Sequence, residues 1–85
     1  MTTPVLEELR RIARAELDYQ GPVEPELRLK EDLQLDSMSM IVVAVGLEDR
    51  FRVKLAEEEA GAIITVGDLV RLVERQLRLA GALAP

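Results

Sequence analysis

The residue best placed to do chemistry in this sequence is a serine. In Leu33-Gln34-Leu35-Asp36-Ser37-Met38 an aspartate stands directly before it, and an apolar run follows. Aspartate is a strong helix N-cap, because its side-chain oxygen accepts a bond from an amide that the first turn leaves unpaired. Ser37 then sits at the helix start with its hydroxyl directed away from the core. Helix starts carry partial positive charge and free amides, so a phosphate attached there is stabilised. A phosphorylated or phosphopantetheinylated serine needs these properties. A catalytic serine needs an adjacent base instead. The chain has no histidine and no cysteine, which leaves only carboxylates and lysines for that role. Taken alone, Asp-Ser ahead of an apolar run more often simply begins a helix, so the assignment depends on its surroundings.

The elements that must position Ser37 are legible from periodicity. Val5, Leu6, Leu9, Ile12, Ala13 and Leu17 predict a first helix, with Glu7, Glu8, Arg10, Arg11 and Arg14 on its other faces. Thr3 before Pro4 suits its start, and Gly21-Pro22 with Pro25 ends it. Residues 18–36 suit no regular element. Leu27, Leu29, Leu33 and Leu35 alternate with polar residues, yet no other segment offers itself as a strand partner. The reading is a long loop pinned to a helical core by its leucines, with a helical turn near Lys30–Leu33. Connections this long inside a compact domain are often functional.

A second helix is expected from Ser37 to Arg50 or Phe51. Met40, Val43, Ala44, Leu47 and Phe51 share one face and should be core. Met38, Ile41, Val42 and Val45 lie on other faces, and from Met38 to Val45 only Ser39 is polar. A domain of this size does not easily surround a helix, so part of that surface should reach solvent or a partner. Leu55-Ala56-Glu57-Glu58-Glu59-Ala60 predicts a short acidic helix stopped near Gly61. Thr65, with Asp68 in capping-box position, begins a last helix whose apolar face is Val66, Leu69, Val70, Leu72, Val73 and Leu77. Gly81 and Pro85 suggest a frayed tail. Ala44, Ala62 and Ile63 either line a pocket or fill a tight core. The expected fold is all-α: a small four-helix bundle of three main helices plus a short third one, with a long loop between the first two.

The 85 residues suffice for a single domain, residues 1–85. Net charge is −5, which disfavours nucleic acid and favours basic protein partners. Without cysteine there is no disulfide framework. Neither a signal peptide nor a membrane span is visible. The expectation is a monomer in the cytoplasm.

Four segments resemble the acyl carrier protein family. Leu35-Asp36-Ser37-Met38 is similar to its modified-serine signature, and Leu47-Glu48-Asp49-Arg50-Phe51 to the end of its second helix. Leu55 to Ala60 resembles its acidic third helix, and Ile64-Thr65-Val66-Gly67-Asp68-Leu69 the start of its fourth. Each is weak alone; four in family order are specific. They run from about Leu27 to Val73, and more loosely back to Val5. The resemblance implies a carrier without catalytic activity of its own. A phosphopantetheinyl transferase would place 4'-phosphopantetheine on Ser37. Asp36 would cap the helix and help that enzyme position its metal ion, none of which stays on the carrier. The arm's thiol would carry acyl or aminoacyl groups between a loading enzyme and a downstream synthase.

Met38, Ile41 and Val45, at i, i+3 and i+7, form an apolar ridge expected to meet partners, the other reading being additional core; Val42 is expected to meet partners too. Glu48 and Asp49 would meet basic partner residues or simply form a solvated helix end. Val42 and Arg50 stand where the family commonly has acids, Arg52 and Lys54 follow, and Ala56 replaces a frequent proline. The partner surface should therefore be more apolar and less acidic than in a fatty-acid carrier. That points to a dedicated lipid, polyketide or nonribosomal peptide pathway. The competing readings are housekeeping fatty acid synthesis, an unmodified helical adaptor, and a small hydrolase using Ser37 itself.

Overall fold

Three helices follow the apolar periodicity: α1 (Pro4–Glu16), α2 (Ser37–Phe51) and α3 (Val66–Leu83). The computed structural model describes residues 4–55 and 61–83, with side chains through residue 79. The architecture is all-α, with three main helices around one aliphatic core. Of the predicted short acidic helix, residues Ala56–Ala60 lie outside the described residues, while Gly61 and Ala62 are helical. No described helix is long and apolar enough to cross a membrane.

Helix α1 starts on Pro4, whose fixed φ and missing N–H suit a first helical position. It buries Val5, Leu6, Leu9, Ile12 and Ala13. It ends at Glu16, ahead of the prolines expected to stop it. Asp18 turns left-handed at φ 53°, a conformation aspartate tolerates, and the Tyr19 N–H donates to Ala13 O at 2.9 Å.

Glu8, expected on an outer face, is only 9% exposed. It lies three residues from Val5 and four from Ile12, on the edge of the buried stripe that faces α2. Arg11 donates from Nε and Nη2 to its Oε2 at 2.9 and 2.5 Å. The Arg50 Nε of α2 stands 3.8 Å from its Oε1, so this carboxylate links the two helices. Gly46 marks the close crossing nearby: a Cβ there would come within 2.8 Å of Ile12 Cδ1.

Within α2, Val43 and Leu47 are fully buried, and Met40, Ala44 and Phe51 are half-buried. The helix stops at Arg52, left-handed at φ 57°, whose N–H returns to Glu48 O. Val53 N–H donates to the same carbonyl at 3.2 Å.

The loop between α1 and α2 is held by burial of Val23, Leu29, Leu33 and Leu35. It also finds the partner that the alternation lacked in the sequence. Arg28 and Thr65 form an antiparallel bridge, with Leu29 N–H donating to Ile64 O at 2.9 Å and Val66 N–H to Leu27 O at 2.8 Å. Gly67 N–H donates to Pro25 O at 2.8 Å. The partner is the first turn of α3, whose amides have no intrahelical acceptor and take loop carbonyls instead. The expected turn is present: Asp32 and Leu33 N–H both donate to Arg28 O, at 2.9 and 3.1 Å.

The capping box that opens α3 is reciprocal. Asp68 N–H donates to Thr65 Oγ1, and Thr65 N–H to Asp68 Oδ2, each at 3.1 Å. The helix then passes through Gly81 to Leu83, contrary to the expected fraying. One glycine costs about 1 kcal/mol relative to alanine, which does not stop a helix flanked by Leu79, Ala80, Ala82 and Leu83.

Two outcomes follow. Leu29→Ala, at a site 1% exposed, is expected to cost about 2–5 kcal/mol in urea unfolding, with faster amide exchange at Leu29 and Val66. Glu8 is held below its ordinary value of 4.5, first by its hydrogen bond from Arg11. A lowered folded value means that the stabilisation is complete above the unfolded value and is lost as pH falls through the folded one. The urea midpoint should therefore fall as pH drops below about 4.5, and Glu8→Gln should show a shallower drop.

Candidate functional site at the start of the second helix

Asp36 adopts extended backbone at φ −89°, ψ −176°, and its side chain caps α2. Its Oδ1 accepts the Ser39 N–H at 2.8 Å, and its carbonyl accepts the Met40 N–H at 2.9 Å. The Ser39 amide is the first cause that holds the Asp36 carboxyl below the usual aspartate value. Asp36 therefore stays ionised and engaged as a cap. Leu33 and Leu35 are buried just before it, and Val43 is buried between one and two turns after Ser37. Anchored on both sides, Ser37 itself is exposed.

The apolar ridge is exposed too. Met38 is 70% exposed, Ile41 56%, Val45 53% and Val42 36%, so the reading of Met38, Ile41 and Val45 as additional core does not hold. Glu48 is half-buried, and its Oε2 accepts the Leu55 N–H at 2.9 Å, tying down the chain that leaves α2. Asp49 is exposed. The two acids paired in the sequence reading thus have different surroundings.

A groove of about 430 Å³ opens beside Ser37, between α2 and α3. Met40, Ala44, Leu55, Ile63, Leu69 and Leu72 give it an apolar lining, and Lys30 and Glu48 are its ionisable members. Of the three residues considered for a pocket, Ala44 and Ile63 line this groove. Ala62 lies instead on a separate surface with Arg71, Arg75 and Arg78. Lys30 was missed by sequence reasoning. Only the turn over residues 28–33, not a motif, brings it to the groove that holds Ser37.

The pattern of the family described as phosphopantetheine attachment site matches residues 7–73, which takes in most of α1, the loop, α2 and nearly half of α3. The chain belongs to the phosphopantetheine-binding acyl carrier protein family. Members are carriers, not catalysts. The carrier is 40% identical over 53 residues to the meromycolate extension acyl carrier protein of Mycolicibacterium aurum, covering 62% of this chain and 55% of that protein. It is 34% identical over 71 residues to the protein of the same name from Mycobacterium tuberculosis, covering 84% and 56%. The chain thus spans just over half the length of these curated relatives. Among solved structures, it is similar to an acyl carrier protein from Thermotoga maritima, with TM-score 0.82, 27% identity and 89% of each chain covered. The acetyl actinorhodin acyl carrier protein of Streptomyces coelicolor gives TM-score 0.72 at 29% identity, covering 88% of this chain and 92% of that one.

The residues at the start of α2 fit a phosphopantetheine group. Ser37 offers an exposed hydroxyl at a helix N-terminus, where a phosphodiester is electrostatically favoured, and the adjoining groove is open. Asparagine caps as well as aspartate, so Asp36→Asn should keep the Ser39 amide protected from exchange, whereas Asp36→Ala should speed that exchange and fray the first turn of α2.

Proposed function

We propose that Ser37 is the attachment point of 4'-phosphopantetheine and that the carrier serves a dedicated lipid pathway. The observation that carries this reading is the exposed Ser37 hydroxyl at the capped start of α2, inside the matched region. In loading, Ser37 Oγ attacks the phosphorus of coenzyme A that bears the pantetheine arm. A serine–phosphate bond forms, the pyrophosphate linkage breaks, and adenosine 3',5'-bisphosphate leaves. The serine proton passes to a base of the phosphopantetheinyl transferase. Asp36 holds the helix start and presents its charge to the metal ion of that enzyme. The arm supplies a thiol that holds cargo as a thioester.

The lipid assignment draws on the meromycolate extension carriers at 34–40% identity and on the apolar groove beside Ser37, which suits an acyl chain better than a charged aminoacyl group. The scarcity of acids on the outer face of α2 argues against a housekeeping fatty-acid carrier. A polyketide role is the second reading, supported by the likeness to the actinorhodin carrier. The partners are the transferase, an acyl-loading enzyme and a downstream synthase, met in the cytoplasm by a monomeric single domain. Met38, Ile41, Val42, Val45 and Asp49 form the contact surface, with Glu48 at its edge.

Intact mass after incubation with coenzyme A and a broad-specificity transferase tests the attachment. The wild-type chain should gain one phosphopantetheinyl group. Ser37→Ala should gain none while its circular dichroism stays unchanged. An unmodified mass for folded wild-type protein overturns the reading.

A further inference from the structure

Lys30 has no part in the attachment chemistry, yet it lines the same groove as Ser37 and is the one cation to do so among the described residues. Backbone bonds fix its place. Leu29, 1% exposed, is anchored in the core, its N–H donating to Ile64 O at 2.9 Å. The Leu29 carbonyl accepts the Leu35 N–H at 3.1 Å, which lays the peptide leading into Lys30 against the residue two before Ser37. With Leu29 turned inward, Lys30 is left exposed at the groove.

The carboxylates nearest to it in the chain and in the groove have other partners. Glu31 and Asp32, on the same turn, both pair with Arg28, and Asp32 also accepts the Arg28 N–H at 2.7 Å. Asp36 caps α2 through the Ser39 amide. Glu48, the groove's acid, accepts the Leu55 N–H and lies about 16 Å along α2 from Ser37 by helical rise. Lys30 itself forms no ion pair among the described residues.

We propose that Lys30 pairs with the phosphodiester that loading places on Ser37, and so holds the root of the arm at the mouth of the apolar groove. The inference rests on the carrier reading and adds a positioning residue to it. Loading sets a permanent anion one residue from Asp36, whose carboxylate is ionised and already uses a first-turn amide. The helix start then serves two negative charges with one set of amides, and a nearby ammonium offsets their repulsion. Lysine meets phosphate as a point charge on a flexible stem, so it needs reach rather than a fixed geometry. The phosphate is also the anion whose position a bond to Ser37 sets, whereas a carboxylate on the cargo would sit at the far end of the arm.

The chain has two lysines, Lys30 and Lys54, and Lys54 follows the far end of α2, whose length is about 22 Å by helical rise. Lysine-labelled protein is compared by NMR before and after loading with coenzyme A and a broad-specificity transferase, the loading confirmed by mass. The Lys30 Cε and Nζ resonances should move on loading, and those of Lys54 should stay. The paired form should outweigh the open one about 1.5- to fivefold at low salt, the range of an exposed ion pair. The arm's phosphorus resonance should accordingly travel as salt is raised to about 1 M, where such pairs are screened. Lys30→Met should hold that resonance at its high-salt position throughout, and Lys30→Arg should restore the travel. Lys30 resonances that stay put on loading, equal movement at Lys54, or a wild-type salt response in Lys30→Met each overturns the inference. Any of these in loaded protein defeats this inference alone, whereas folded wild type that gains no mass defeats the carrier reading beneath it.

Discussion

The loop between α1 and α2 does not lie on the core through apolar contact alone. Its carbonyls at Pro25 and Leu27 accept the amides of Gly67 and Val66, and Leu29 donates back to Ile64. The opening of α3, which would otherwise leave these amides without acceptors, therefore becomes the fixed point for the loop. From that point Leu29, Leu33 and Leu35 are buried in sequence, and the chain reaches Asp36 with its direction set. The position of Ser37 is thus a consequence of hydrogen bonding at Pro25, Leu27 and Leu29, earlier in the loop. A change that disturbs the start of α3 acts on the start of α2 without touching it.

The helices and the site were legible for different reasons. Burial of Leu9, Ile12, Val43, Leu47, Leu69 and Val73 follows directly from three- and four-residue spacing. The caps at Asp36 and Thr65 follow from side-chain chemistry confined to three or four residues. What escaped was non-local or conformational. The bridge between Arg28 and Thr65 joins residues 37 positions apart, and its partner is the cap residue ahead of a helix rather than a strand. The early end of α1 depends on a left-handed Asp18, which the prolines farther on obscure. Glu8 looked solvent-facing because its charge outweighed its position on the edge of the stripe, and its second partner, Arg50, lies on another helix.

At the site, the exposure of Met38, Ile41, Val42 and Val45 was foreshadowed by a helix too apolar for a small domain to cover. The separation of Glu48 from Asp49 was not, because only the path of the chain after Arg52 brings the Leu55 amide to Glu48. Two adjacent acids in a sequence carry no information about which of them the backbone will claim.

The left-handed Arg52 has a wider consequence. Glycine adopts that conformation freely, whereas a residue with a Cβ gives up about 1 kcal/mol to occupy it. An arginine there trades rigidity for a cation at the tip of the helix, on the side that faces outward. Attempts to make the fold hardier by the usual glycine cap would erase part of its surface identity. In this domain, backbone ease and surface charge draw on the same position.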